Sequence, residues 1–429
     1  MPFVEALRQL QLKVKPENFC LVHISMVPIV GDSEEQKTKP TQHSVKELRS
    51  LGLAPDFIVC RAKTPVIQSA RDKIALFCNV PESNVLSIHD VPNIYHVPLL
   101  MIQQSFDVLL SQRLGLAKLK TFSKVDEHSF KASWEGMINM IDAAETQATI
   151  ALVGKYTDSQ DAYVKYIFDG FFTSGVNIFY IRYLSIISAL KHACIQTNQK
   201  LRLEMIESTH LEEEHKDSFP EQHALAWRKL QESDALLVPG GFGNRGIEGK
   251  IEAIRYARTN AMPFLGVCLG MQAAVIEYTR TFLGRNKANS NEFFPELSGE
   301  EAAVIFMPEG DKEVMGGTMR LGARTTLIES SSRASKLYNG KSSVSERHRH
   351  RYEVNPDLVA LLEEKGLRFT GKDETKQRME IVEIDDHPYF VGVQFHPEFK
   401  SRPQRPAPVF LGLLQAVRDG KKQGEEISR

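Results

Sequence analysis

The chain has little of several things that would narrow its chemistry at once. Its five cysteines, Cys20, Cys60, Cys78, Cys194 and Cys268, are odd in number, scattered and never spaced as CxxC. That spacing argues against a disulfide framework and a zinc site, and fits reduced thiols in the cytoplasm. No charge of one sign dominates: 53 Lys and Arg stand against 54 Asp and Glu, a net −1, without the basic surplus of a dedicated nucleic-acid binder. Long apolar runs are missing too. The nearest, Tyr166 to Leu190, is interrupted by Asp169, Asn177 and Arg182, and a charge at mid-bilayer costs about 2.5–3.5 kcal/mol. The N-terminal segment MPFVEALRQLQLKVK carries charge throughout and reads as a short amphipathic helix, not a signal peptide. The expectation is a cytoplasmic protein with neither nucleic acid nor membrane as partner.

What is present is an α/β pattern, repeated. At 429 residues the chain is too long for one ordinary core, so two domains are expected. Apolar runs alternate with helical patterns through FCLVHISMVPI, SVKELRSLGL, PDFIVCRA, RDKIALFC and NVLSIHDV, which implies a mainly parallel sheet flanked by helices over residues 1–115. Residues 116–148 turn polar around Trp134 and read as a linker. A second series, with TIALVGKY, ALLVPGGFG, PFLGVCLGMQAAV and YFVGVQFHPEF as buried strands, predicts another parallel sheet over 149–418, with ligands at the carboxyl ends of its strands. Residues 419–429 read as a disordered tail.

Chemistry concentrates in that second series. Cys268 follows an apolar strand, is flanked by Gly266 and Gly270 and precedes a helical pattern. This is the form of a nucleophile elbow, in which small neighbours allow a strained turn and the helix start favours a thiolate. The alternative is a buried structural cysteine. In QFHPEF, His396 and Glu398 lie two apart on a strand-like segment and can project together, Glu398 steadying the imidazole that faces Cys268. VPGGFG ends a strand in Gly240 and Gly241, whose backbone N–H groups can turn toward an oxyanion; an ordinary turn would read the same.

PGGFG, GVCLGMQ and FHPEF in this order resemble the class I glutamine amidotransferases. The resemblance implies a flavodoxin-like glutaminase domain that hydrolyses L-glutamine through a Cys268 thioester. It further implies Gly241 and Leu269 as the oxyanion hole, and Gly241, Leu269, Gly270, Met271, Gln272, Glu292 and Arg351 as glutamine-binding residues. A carboxylate and a guanidinium are the groups that an amino acid's ammonium and carboxylate need. Without the resemblance, RHRHR reads as a solvated charged face.

Upstream, Lys37 and Lys39 in KTKPTQ adjoin a helix expected from about Gln42 to Gly52, either a polyphosphate cradle or a basic surface loop. KTKPTQ, KELRSLG, RDKIALFCNVPE, MGGTMRLG and ERHRHRYEVN together are similar to the CTP synthase family over nearly the whole chain. What this implies is ATP-dependent amination of UTP to CTP with glutamine-derived ammonia. Lys37, Thr38, Lys39, Pro40, Thr41, Gln42 and Lys73 would bind UTP or CTP, and His89, Asp90 and Val91 the ATP adenine. Arg245 would take part in activation by GTP. A homotetramer, or association with full-length protomers, is the implied assembly.

Two departures from the family pattern stand out. The family's glycine-rich phosphate loop and acidic Mg2+ ligands, which precede the segment matching MPFVEALRQL, are not in these residues, and the first series contains no GxxxxGK loop. The first domain therefore reads as a truncated synthetase (amidoligase) domain without metal ligands, and the chain as retaining glutaminase chemistry but not CTP formation. A catalytically impaired, nucleotide-binding regulatory subunit is the alternative; an amidotransferase of another pathway is a third. The second departure is an aromatic insertion at about 165–184, between DAYV and SIISALKHA, read as a surface excursion, a longer helix or a destabilising apolar segment.

Overall fold

The computed structural model describes residues 2–30, 35–116, 127–155, 178–307 and 319–427. The chain divides into two compact units, the first over residues 1–139 with 165–174, the second over 140–164 with 175–429.

In the first unit, α1 (Pro2–Lys13) precedes β1 (Val22–Met26), α2 (Lys39–Ser50), β2 (Phe57–Ala62), α3 (Gln68–Cys78) and β3 (Val85–His89). The strands form a parallel sheet in the order β1-β2-β3. Central β2 is apolar on both faces, as a covered parallel strand must be, and Ile58 and Cys60 pack with Val45 of α2 and Ile74 of α3. Helix α2 starts at Lys39, three residues earlier than expected, because Pro40 suits the first turn of a helix. Helices α4 (His96–Gln103) and α5 (Phe106–Arg113) follow. Part of the expected linker is the helix α6 (Glu127–Asp142); its Trp134 donates to the Tyr95 carbonyl at 2.7 Å and stacks on Phe130. Residues 117–126 lie outside the described ones.

The second unit opens with β4 (Thr146–Gly154), α7 (Ile178–Thr197) and β5 (Gln199–Glu207). Next come α8 (Glu213–Ser218), α9 (Pro220–Gln231), β6 (Ala235–Val238), α10 (Ile247–Thr259), β7 (Phe264–Val267) and α11 (Leu269–Phe282). Short β8 (Asn289–Ser290) and β9 (Ala302–Phe306) lead to β10 (Arg320–Ile328), α12 (Arg333–Leu337), β11 (Ser343–His350) and β12 (Tyr352–Val354). The chain closes with α13 (Pro356–Glu364), β13 (Arg368–Lys372), β14 (Met379–Glu383), β15 (Phe390–Val393) and α14 (Pro408–Ile427).

The main sheet runs β11-β10-β13-β14-β15-β7-β6-β4-β5. Its parallel part, β5-β4-β6-β7-β15, has the flavodoxin-like 2-1-3-4-5 order. The other four strands continue it antiparallel, an extension the sequence reading did not anticipate. Strands β12, β9 and β8 form a separate small sheet.

One expectation is met in part and another is revised by the chain's path. The last residues of the aromatic insertion, from Ile178, begin α7, where Tyr183 is buried; residues 165–177, like DAY and the MGGT of MGGTMRLG, lie outside the described residues. The expected disordered tail is instead helical as far as Ile427, a continuation of the apolar PVFLGLLQAV face that packs Val409, Phe410, Leu413 and Leu414 into the core. Among the described residues, no helix is long and apolar enough to cross a membrane.

Candidate active site

Strand β7 delivers Cys268 to its position. Cys268 caps α11 with φ 53° and ψ −103°, a left-handed conformation rare for a residue with a side chain and typical of a nucleophile held under strain. Its glycine neighbours are sterically required. A Cβ on Gly266 would lie 2.7 Å from the Gly270 carbonyl carbon, and one on Gly270 would lie 2.1 Å from the Val238 oxygen. Helix α11 therefore packs directly on the strand ends.

Strand β15 lies beside β7 in parallel, with Val393 opposite Val267, and the Cys268 N–H donates to the Val393 carbonyl at 2.7 Å. The chain beyond β15 thus passes Cys268. His396 Nδ1 and Glu398 Oε1 are 2.8 Å apart. The expected extended segment is not how they meet: Pro397–Lys400 forms a 3-10 turn that folds Glu398 back under the imidazole. The His396 N–H donates to the Arg347 carbonyl at 2.7 Å. Burial disfavours the imidazolium, but the negative sulfur of Cys268, its hydrogen bond and the Glu398 carboxylate outweigh it and raise the His396 pKa to about 10. Cys268, His396 and Glu398 therefore converge as one chain of interacting groups.

Gly240 closes this site, since a Cβ there would meet His396 Cε1 at 2.8 Å and Cys268 Cβ at 3.3 Å. Gly241 adjoins Leu269, with a hypothetical Cβ 3.6 Å from Leu269 Cδ2. Among the described residues neither backbone N–H, Gly241 nor Leu269, donates elsewhere. Leu269 is the first residue of α11, where N–H groups have no intrahelical acceptor.

Glu292 and Arg351 come from different loops to the same locality. The Gly243 N–H donates to Glu292 Oε1 at 2.8 Å. Burial raises the Glu292 pKa, while that N–H and the cations Lys155, Lys250 and Arg351 oppose the rise. Arg351 Nε is buried without an acceptor among the described residues. Gly270 and Met271 lie buried in the first turn of α11, and Gln272 is buried behind Cys268, with Nε2 2.9 Å from the Tyr352 carbonyl. Arg245 is half exposed and reaches Glu207 at 3.5 Å.

Two lysines escaped the sequence reading. Lys155, just after β4, donates from Nζ to the carbonyls of Phe242, at 2.8 Å, and Gly243, fixing the glycine loop from behind. Lys250 on α10 is 1% exposed; burial and then the neighbouring Lys155 lower its pKa to about 7, against the pull of Glu207, Glu292 and Glu212. The only sequence signal was a lysine amid apolar residues in each case, VGK and EGKI.

In the first unit, KTKPTQ does not present all its side chains outward. Thr41 is fully buried and accepts from Ser25 Oγ at 3.0 Å, while Thr38 Oγ1 accepts from Gln42 Nε2 at 3.0 Å. Lys39 and Pro40 are exposed at the α2 start. Lys37 pairs with Glu35, whose pKa falls through its hydrogen bond and charge contact with Lys37 and through the charge of Lys73. His89 ends β3, Asp90 pairs with Arg61, and Val91 follows, partly buried. Among the described residues no three His, Cys, Asp or Glu side chains gather to hold a metal ion.

Comparison with known proteins covers both units. The "Glutamine amidotransferase class-I" family model matches residues 182–416, and the "CTP synthase N-terminus" model matches residues 1–116. The chain is 48% identical to CTP synthase of Dictyostelium discoideum, over 97% of this chain and 71% of that one. It is 49% identical to CTP synthase 1 of Danio rerio, over 97% and 66%. The chain thus spans about two thirds of the length of these curated relatives. Among solved structures, the glutaminase domain of Trypanosoma brucei CTPS with bound acivicin aligns with TM-score 0.54 and 37% identity, over 64% of this chain and 94% of that one. Matched in both parts and at this identity over nearly all its length, the chain belongs to the CTP synthase family.

Proposed function

We propose that this chain hydrolyses L-glutamine at Cys268 and serves the amination of UTP to CTP, the ammonia leaving the glutaminase site for the nucleotide. The observation that carries the reading is Cys268 held in a left-handed elbow beside an imidazole that Glu398 steadies.

The Cys268 sulfur attacks the carboxamide carbon, and its electron pair displaces the C=O π pair onto oxygen, toward the Gly241 and Leu269 N–H groups. As the tetrahedral species collapses, the C–N bond breaks, and His396 gives its proton to the departing nitrogen, which leaves as ammonia. Water then adds to the thioester, giving a proton to His396, and glutamate leaves as the C–S bond pair returns to sulfur. Glu292 would hold the substrate ammonium and Arg351 its carboxylate, for which the unengaged Arg351 Nε is suited.

In the first unit, Lys37, Lys39 and Lys73 around the α2 start would hold the triphosphate of UTP, or of CTP as inhibitor. His89, Asp90 and Val91 would face the ATP adenine, and Arg245 would transmit activation by GTP. Among the described residues no three His, Cys, Asp or Glu side chains gather as a metal site. A homo-oligomer is the assembly this reading carries from its family.

Glutamate release by the purified chain tests the glutaminase. C268S should lower it by at least about 1000-fold with an unchanged melting temperature, and acivicin should label Cys268. UTP should raise the melting temperature in the wild type but not in K37A/K73A. Absence of glutamate release, with UTP stabilisation intact and co-elution with an intact CTP synthase, would replace this reading with that of a regulatory, nucleotide-binding subunit.

A further inference from the structure

The sulfur of Cys268 has a neighbour that neither the triad nor the glutamine contacts explain. Gln394, the residue after β15, is 1% exposed, and its Nε2 lies 3.5 Å from Cys268 Sγ. Its backbone N–H is bonded to the Glu380 carbonyl at 2.9 Å, so the side chain is fixed at its root. We propose that Gln394 is a second hydrogen-bond donor to the nucleophilic sulfur, kept in its donating orientation by Gln272. The proposal rests on the reading of Cys268 as nucleophile.

A carboxamide can present either its oxygen or its NH2, and the surrounding groups decide which. The Tyr352 carbonyl can only accept, and Gln272 Nε2 stands 2.9 Å from it, so Gln272 turns its NH2 that way. The same NH2 carries a second hydrogen, which Gln394 Oε1 receives at 3.1 Å. With its oxygen engaged, Gln394 directs its own NH2 at the sulfur. The relay runs from β12 through α11 to the end of β15, and all three side chains in it are buried.

In such a site an N–H aimed at sulfur is worth more than in water and favours thiolate over thiol. The same donor favours the sulfur again when water cleaves the thioester and the C–S electron pair returns to it. Gln394 touches the attacking atom and is a catalytic group; Gln272 acts through it and is a positioning residue, both of its amide hydrogens being committed behind the nucleophile.

Iodoacetamide alkylation of Cys268 in the full chain, mapped by peptide mass spectrometry across pH, reads the effect directly. In Q394L the midpoint should rise by about one to two pH units and the rate at pH 7 fall about tenfold or more, with kcat for glutamate release reduced and KM little changed. Q272L should shift the midpoint the same way by less. A folded Q394L with the wild-type midpoint overturns the proposal; if Q394L does not fold, a wild-type midpoint in Q272L does so. Wild-type Cys268 reacting no faster than the other four cysteines would instead remove the nucleophile reading on which the relay depends.

Discussion

Gly240 shows how little room the chemistry leaves at single residues. A methyl group there would stand 2.8 Å from His396 Cε1, closer than carbon atoms approach, so G240A must push the imidazole off the sulfur. Misplacement of about 1 Å is enough to cost about 100-fold in rate. Glutamate release by G240A should therefore fall by at least that factor while its melting temperature stays near wild type; full activity would mean that the loop yields without moving His396. The residues legible in the sequence are those whose role is local. Cys268 was betrayed by the glycines on either side, and His396 with Glu398 by their short separation, although a 3-10 turn and not a strand brings those two together. Lys155, Lys250 and Gln394 were not legible, because what makes each of them matter is burial against chain segments far away in sequence.

At the level of elements, β11 explains why RHRHR resisted interpretation. A strand alternates its faces: Arg347 and Arg349 point outward as a charged face would, while His348 and His350 are buried and lie 3.1 Å apart, Nδ1 to Nε2. Charge content alone suggested solvent, and only the pairing with β10 reveals the inner row. The antiparallel extension stayed hidden for the same reason, since β10 exposes most of its length and lacks the apolar run that betrays β6 or β7. Burial, with nearby cations adding to it, lowers the pKa of His348 to about 2 and of His350 to about 3. Both imidazoles are thus neutral in the fold, and their contribution to stability is complete above pH 6.5 and is lost as the pH falls toward 3. Glu353 and Glu380, raised by burial to about 7, act in the opposite sense between pH 7 and 4.5 and mask the trend in the wild type. A variant difference exposes it. The stability advantage of wild type over H350Q, measured in urea, should shrink by about 2 kcal/mol between pH 8 and pH 5; a constant difference would show that His350 takes up its proton as readily in the fold as in the unfolded chain.

Over the whole molecule, the two compact units have separate hydrophobic cores. One is built around Ile58, Cys60 and Ile74, the other around Phe264, Phe390 and the buried face of α11. Units with separate cores unfold as separate cooperative blocks, so calorimetry should resolve two transitions. UTP at 100 times its dissociation constant should stabilise the first unit by about 2.7 kcal/mol and leave the other transition in place; a single transition shifted as a whole would refute the independence of the blocks. The parallel order β5-β4-β6-β7-β15 has a practical corollary. Cys268 and His396 follow adjacent strands although a long excursion of chain separates them, and within that excursion the Asn339–Gly340 turn is exposed, with open space around Gly340. A polypeptide cut at that turn would leave the thiol in one fragment and the imidazole in the other, and recovered glutamate release would become a reporter of the two halves finding each other.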